Sequence, residues 1–185
     1  MYKIQDRPEE NKAFPYLPDF ASGRTNNGGF NLVENPEKIE DIHELKSLEH
    51  TKKIIAAINS PQGDLFTVGC DFGEGENGPG GYVEICFRDS LRCATLEEYQ
   101  AILDSYWEWI SNDKIVRAFS EDILKGLNVE SSRLECPAFG IHRGFSLCLV
   151  FIADSFDSVE RLLGYFFAFV LQDSSLFLPC QSSNG

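Results

Sequence analysis

Apolar and polar residues alternate in two segments near the middle of the chain. Every even position of residues 65–72 is apolar, and Val83, Ile85 and Phe87 repeat the alternation. A period of two is typical of a strand that buries one face. The pattern therefore predicts strands over residues 65–72 and 83–88, and we expect the two strands to pair antiparallel.

The segment between these strands, residues 73–81, holds five glycines, one proline and two glutamates. Its length and composition predict an exposed, mobile loop rather than a two-residue hairpin. A helix should follow over residues 96–111, because Thr95 and Glu98 stand at capping-box spacing and an apolar stripe begins there. The stripe consists of Leu96, Tyr99, Ile102, Leu103, Tyr106 and Ile110.

A second strand-strand-helix unit is predicted in residues 134–171. Residues 134–139 have a weak strand pattern, and residues 145–152 form a continuous apolar run typical of a central strand. Asp157 and Glu160 then stand at capping-box spacing before a helix that is apolar nearly all round. Such a helix must be buried, either in the core or against a second copy in a homodimer.

The remaining segments are less regular. The pattern of residues 37–59 predicts helical structure that breaks near residues 45–50. The pattern of residues 115–125 predicts a short strand or turn followed by a short helix. The order of elements predicts a single α+β domain over residues 1–185, with a mostly antiparallel sheet flanked by helices. An irregular N-terminal arm, residues 1–34, should pack on this domain, and residues 173–185 should form a C-terminal tail.

Residues 1–12 contain no apolar h-region of the kind that a secretion leader has, and the longest apolar run, residues 162–171, is shorter than the roughly 20 residues of a bilayer span. We therefore expect a cytoplasmic protein without membrane contact. The six cysteines lack CxxC spacing and fall mostly in apolar patterns, which predicts reduced core thiols.

Negative charge is concentrated in the central unit. Residues 64–110 contain ten acidic residues and two arginines, a net of −8 in a chain whose formal net charge is −13. A protein this acidic is disfavoured as a direct nucleic-acid binder, because such binding depends on lysines and arginines at phosphates. It would attract a basic protein instead, although acidity for solubility alone also explains a negative net charge.

No residue pattern carries a metal, cofactor or catalytic signature. His43 and His50 lie about 10 Å apart if they share a helix, too far to bind one metal together. Cys136, His142 and Asp154 have the residue types of a nucleophile, a base and an orienting carboxylate, but their spacing is not diagnostic. We predict no metal and no cofactor.

The sequence is compatible with two functions. The first is a small acidic inhibitor that neutralises a basic protein, such as an immunity protein acting on a toxin nuclease or a phage-type inhibitor of a defence nuclease. The second is an enzyme or small-molecule-binding module built on Cys136, His142 and Asp154. For the first, the predicted partner surface consists of Asp71, Glu74, Glu76, Tyr82 and Glu84.

Overall fold

The computed structural model describes residues 2–17, 28–76, 78–112 and 127–176. Five strands and three α-helices lie in these ranges, and they confirm the α+β fold. The strands are β1 (Gln5–Ala13), β2 (Leu65–Gly75), β3 (Gly78–Phe87), β4 (Leu127–Cys136) and β5 (Ile141–Ile152). The helices are α1 (Glu49–Ile58), α2 (Glu97–Asn112) and α3 (Phe156–Leu171).

The strands form one sheet in the order β1-β4-β5-β3-β2. β1 pairs with β4 in parallel, and the other three pairs are antiparallel, so the sheet is mostly antiparallel. The strand β1 corrects the prediction of a wholly irregular arm. Its sequence is polar, without alternation, and contains Pro8, a composition that is tolerated at a sheet edge.

The hairpin of β2 and β3 confirms the predicted antiparallel pairing but corrects the predicted loop. Pairing continues through Gly73 opposite Gly80 and Gly75 opposite Gly78, which leaves only two residues between the last pair. The glycines serve close packing here: a Cβ on Gly81 would lie 2.2 Å from a ring carbon of Phe72. The glycines of residues 73–81 therefore allow close packing within the sheet and do not form an exposed loop.

The helix α2 follows its prediction closely. Tyr99 is fully buried, its ring centroid lies 4.8 Å from that of Phe87, and its hydroxyl donates to the Phe145 carbonyl at 2.8 Å. Tyr106 extends the contact to α3, where its ring centroid lies 5.0 Å from that of Phe166. The predicted apolar face thus packs on the sheet at one end and on α3 at the other.

The N-terminus of α3 differs from its prediction. Ser155 is the N-cap, and its hydroxyl accepts from the Ser158 amide at 3.2 Å, so Asp157 and Glu160 do not form the capping box. Glu160 instead accepts from the amide and hydroxyl of Thr51 at 2.8 and 2.9 Å. Its carboxylate therefore satisfies free donors in the first turn of α1, where negative charge is favoured.

The helical segment before β2 breaks as predicted. Two 3₁₀ turns, Pro36–Asp41 and His43–Leu45, precede α1. The body of α3 is buried as predicted, from Val159 to Ala168 on its inner positions. None of the helices in the described ranges is long and apolar enough to span a membrane. The elements predicted for residues 115–125 lie outside the described residues, as do residues 177–185 of the predicted tail.

Candidate acidic interaction surface

Exposed carboxylates gather where β2 turns into β3. Asp71, Glu74 and Glu76 are all exposed on β2 or just beyond it. β5 ends beside this hairpin, because the Ala153 amide donates to the Pro79 carbonyl at 3.1 Å. The next residue, Asp154, is exposed at the same end of the sheet.

The first turn of α3 adds one more exposed carboxylate, Asp157. We call Asp71, Glu74, Glu76, Asp154 and Asp157 the acidic end. Within residues 2–17, 28–76, 78–112 and 127–176, none of the five forms an ion pair with a lysine or arginine. Five uncompensated negative charges at one end of the sheet create a strong local potential.

Sequence reasoning found three members of the acidic end and missed the role of the other two. The sequence patterns place Asp154 in the catalytic alternative and Asp157 in a helix cap. Asp154 and Asp157 lie near the hairpin of β2 and β3 because β3 pairs with β5, with Gly80 opposite Ile152. Because this pairing links segments about seventy residues apart, no local pattern in the sequence indicates it.

The other acidic residues of the central unit do not belong to this surface. Arg92 pairs with Asp64 at 3.0 Å and with Glu98 at 3.3 Å, near the opposite end of β2. Asp89 accepts from the Leu91 amide at 2.8 Å and so stabilises a turn. The net charge of residues 64–110 is therefore divided between two ends of the sheet and the surface of α2.

Glu84 was predicted on the partner surface, and the structure corrects this. Its residue is only 2% exposed, because β3 is an inner strand between β5 and β2. Its carboxylate accepts from Lys12 Nζ at 2.7 Å and from Ser146 Oγ at 2.5 Å. Glu84 is thus a buried partner of an internal ion pair and cannot steer another protein.

Tyr82 lies on the same strand and is partly buried. It stands opposite Asp71 in the pairing of β2 with β3, so the two side chains share a face of the sheet. Burial raises the pKa of Tyr82. The tyrosine therefore stays neutral and can offer an aromatic contact beside the acidic end.

The residues of the catalytic alternative are not brought together. Cys136 is fully buried at the end of β4, where desolvation raises the pKa of its thiol, and His142 is exposed at the start of β5. Asp154 follows the other end of β5, a strand of 12 residues. At about 3.4 Å per residue, that strand separates His142 from Asp154 by about 40 Å.

The reduced state of the thiols stays a prediction, and the described cysteines form no disulfide with one another. Cys70, Cys86, Cys93, Cys136 and Cys148 are all free, and Cys180 lies outside the described ranges. The described parts of the chain also hold no group of three or more histidine, cysteine, aspartate or glutamate side chains arranged for a metal ion.

Comparison of the chain with protein-family models, with curated proteins and with solved structures finds no match. The acidic end is therefore interpreted from its own geometry and charge.

Proposed function

We propose that this chain is a non-catalytic cytoplasmic protein that binds and inhibits a basic protein partner through its acidic end. The observation that supports this proposal is the set of five exposed, uncompensated carboxylates at one end of the sheet. A protein that is acidic only for solubility has no need to collect five unpaired carboxylates at one end of its sheet.

The physical basis of the proposal is electrostatic steering. Like-signed charges on one surface attract an oppositely charged partner over a distance and raise its association rate. Asp71 and Glu74 lie on β2 and Glu76 lies just beyond it, so the backbone of the hairpin sets their spacing. Because side chains alternate along a strand, Asp71 and Glu74 extend from opposite faces of the sheet. Carboxylates around the end of a hairpin can enter a basic cleft that otherwise receives the phosphates of a nucleic acid.

The kind of partner follows from this charge. A nuclease or a toxin with nuclease activity carries a basic cleft, and a protein that covers the cleft inhibits it without any chemistry of its own. Bacterial immunity proteins and phage inhibitors of defence nucleases act in this general way, and they enter here as analogies of size and charge. Toxin neutralisation is accordingly the biological role that we propose.

The test is affinity capture from the native host at low salt, followed by identification of the captured protein. The test variant carries Asp71→Asn, Glu74→Gln and Glu76→Gln. A matched control carries Glu37→Gln, Glu97→Gln and Glu108→Gln, which removes the same charge from exposed sites elsewhere. We expect a basic protein to be captured by the wild type and the control but not by the test variant.

Two results would contradict the proposal. One is capture of the same basic protein by the test variant and the wild type in equal amounts. The other is loss of capture in both variants alike, because this would show that only the net charge matters.

A further inference from the structure

A cleft at the opposite end of the sheet from the acidic end gathers two arginines and a histidine. Its volume is about 360 Å³, and it is lined by Asn11 of β1, residues 133–135 of β4 and residues 142–144 of β5. β4 and β5 pair antiparallel here, with Arg133 opposite Phe145. The register of this pair shifts between Leu134 and Cys136, and both Arg133 and Arg143 line the cleft beside that irregularity.

Packing holds one of the two guanidinium groups in place. Cζ of Arg133 lies 4.0 Å from the centroid of the Phe145 ring, so the guanidinium group stacks on a buried aromatic side chain. A stacked guanidinium group keeps its edge N–H donors available for a ligand in the same plane. Arg133 is thus positioned before any ligand arrives.

The two arginines differ from the other arginines near the sheet. Arg7 pairs with Glu130, and Arg92 pairs with two carboxylates. Among the residues that the structure describes, Arg133 and Arg143 form no ion pair, although Glu135 is among the residues that line the same cleft.

This lack of partners is notable for a chain with 29 acidic and 16 basic residues. Two positive charges that line one cleft repel each other. An anion bound between the two guanidinium groups would remove that repulsion.

We propose that this cleft binds a small ligand through a single carboxylate or phosphate group held between Arg133 and Arg143. Guanidinium groups bind such oxyanions through paired, charge-assisted hydrogen bonds. The cleft volume falls within the range of about 300–1,000 Å³ that is usual for small-molecule sites. Asn11 and His142 supply further polar groups at the wall, and Glu135 disfavours a ligand with additional negative charge. The site is independent of the proposed function.

The experiment is an NMR titration of the full-length protein with inorganic phosphate and, separately, with sodium acetate. Sodium chloride keeps the ionic strength constant, and backbone amides of residues 133–144 are followed. We expect saturable shifts in this segment with at least one of the two anions, and the tighter anion identifies the ligand class.

Substitutions then locate the site. Arg143→Gln should weaken binding at least about fivefold, which is about 1 kcal/mol. Arg133→Lys keeps the positive charge but loses the planar fork, so it should weaken binding while the fold is retained. Lys53→Gln is the control, because Lys53 is exposed on α1, away from the cleft, and its replacement should leave binding unchanged.

The proposal is overturned if neither anion gives saturable shifts below about 50 mM, a range that covers very weak affinities. It is equally overturned if Arg143→Gln binds as tightly as the wild type, or if Lys53→Gln weakens binding as much as Arg143→Gln.

Discussion

Replacing Glu84 by glutamine isolates the contribution of the buried ion pair. The change keeps the size of the side chain and removes its charge. In the native protein the carboxylate accepts two hydrogen bonds, from Lys12 Nζ at 2.7 Å and from Ser146 Oγ at 2.5 Å. Glutamine can keep one of these as a neutral hydrogen bond but cannot provide the charge that attracts Lys12.

The magnitude follows from the two bonds. Hydrogen bonds to a charged group contribute about 1.5–3 kcal/mol each, and a neutral one about 1 kcal/mol, so the net loss is about 2–5 kcal/mol. The lower end applies, because the Lys12 side chain is 35% exposed and water can solvate its charge when position 84 is neutral. We therefore expect Glu84→Gln to lower the free energy of unfolding by about 2 kcal/mol.

Urea unfolding followed by tryptophan fluorescence measures this loss, and thermal unfolding should show a decrease in Tm of about 4–8 °C for a chain of this size. Glu76→Gln is the matched control on the same hairpin; Glu76 is exposed, so its replacement should change stability by less than about 0.5 kcal/mol. If Glu84→Gln is as stable as the control, Glu84 is not the buried, paired carboxylate described above.

Three further predictions concern the hairpin, the core and the thiols. Gly81→Ala should destabilise the protein by at least about 2 kcal/mol through overpacking against Phe72, whereas Gly73→Ala should be neutral because its Cβ meets nothing within 4 Å; equal urea midpoints for the two variants would contradict the tight hairpin. Tyr99→Phe should cost about 1–2 kcal/mol, because the Phe145 carbonyl loses its 2.8 Å hydrogen bond; an unchanged urea midpoint would be inconsistent with that bond. Thiol titration of the unfolded, unreduced protein should find at least five free cysteines, and two or fewer would show that disulfides form among the thiols that are free here.

Local patterns predicted the elements that local forces determine. The alternation in residues 65–72 predicted β2, and the apolar stripe through Tyr99 and Tyr106 predicted α2, because burial of one face depends on the period of the sequence itself. The order of these elements was sufficient to predict the fold class.

The errors have a common physical cause, which is the position of a segment in the sheet. Polar β1 is stable only as an edge partner of β4, and Glu84 is buried because β3 lies between two other strands. Gly81 lies within a strand, because Phe72 packs in the space that a side chain at position 81 would fill. The acidic end depends in the same way on β3 pairing with β5, so its full membership could not be predicted from the sequence.

The most direct test of the account is the association rate of the captured basic partner as a function of salt. Surface charges are screened beyond about 8 Å at physiological ionic strength. We therefore predict that association with the wild type slows steeply as salt rises. The variant with Asp71→Asn, Glu74→Gln and Glu76→Gln should associate about tenfold more slowly at low salt and depend less on salt. Equal association rates and equal salt dependence for the wild type and this variant would show that the partner does not bind at the acidic end.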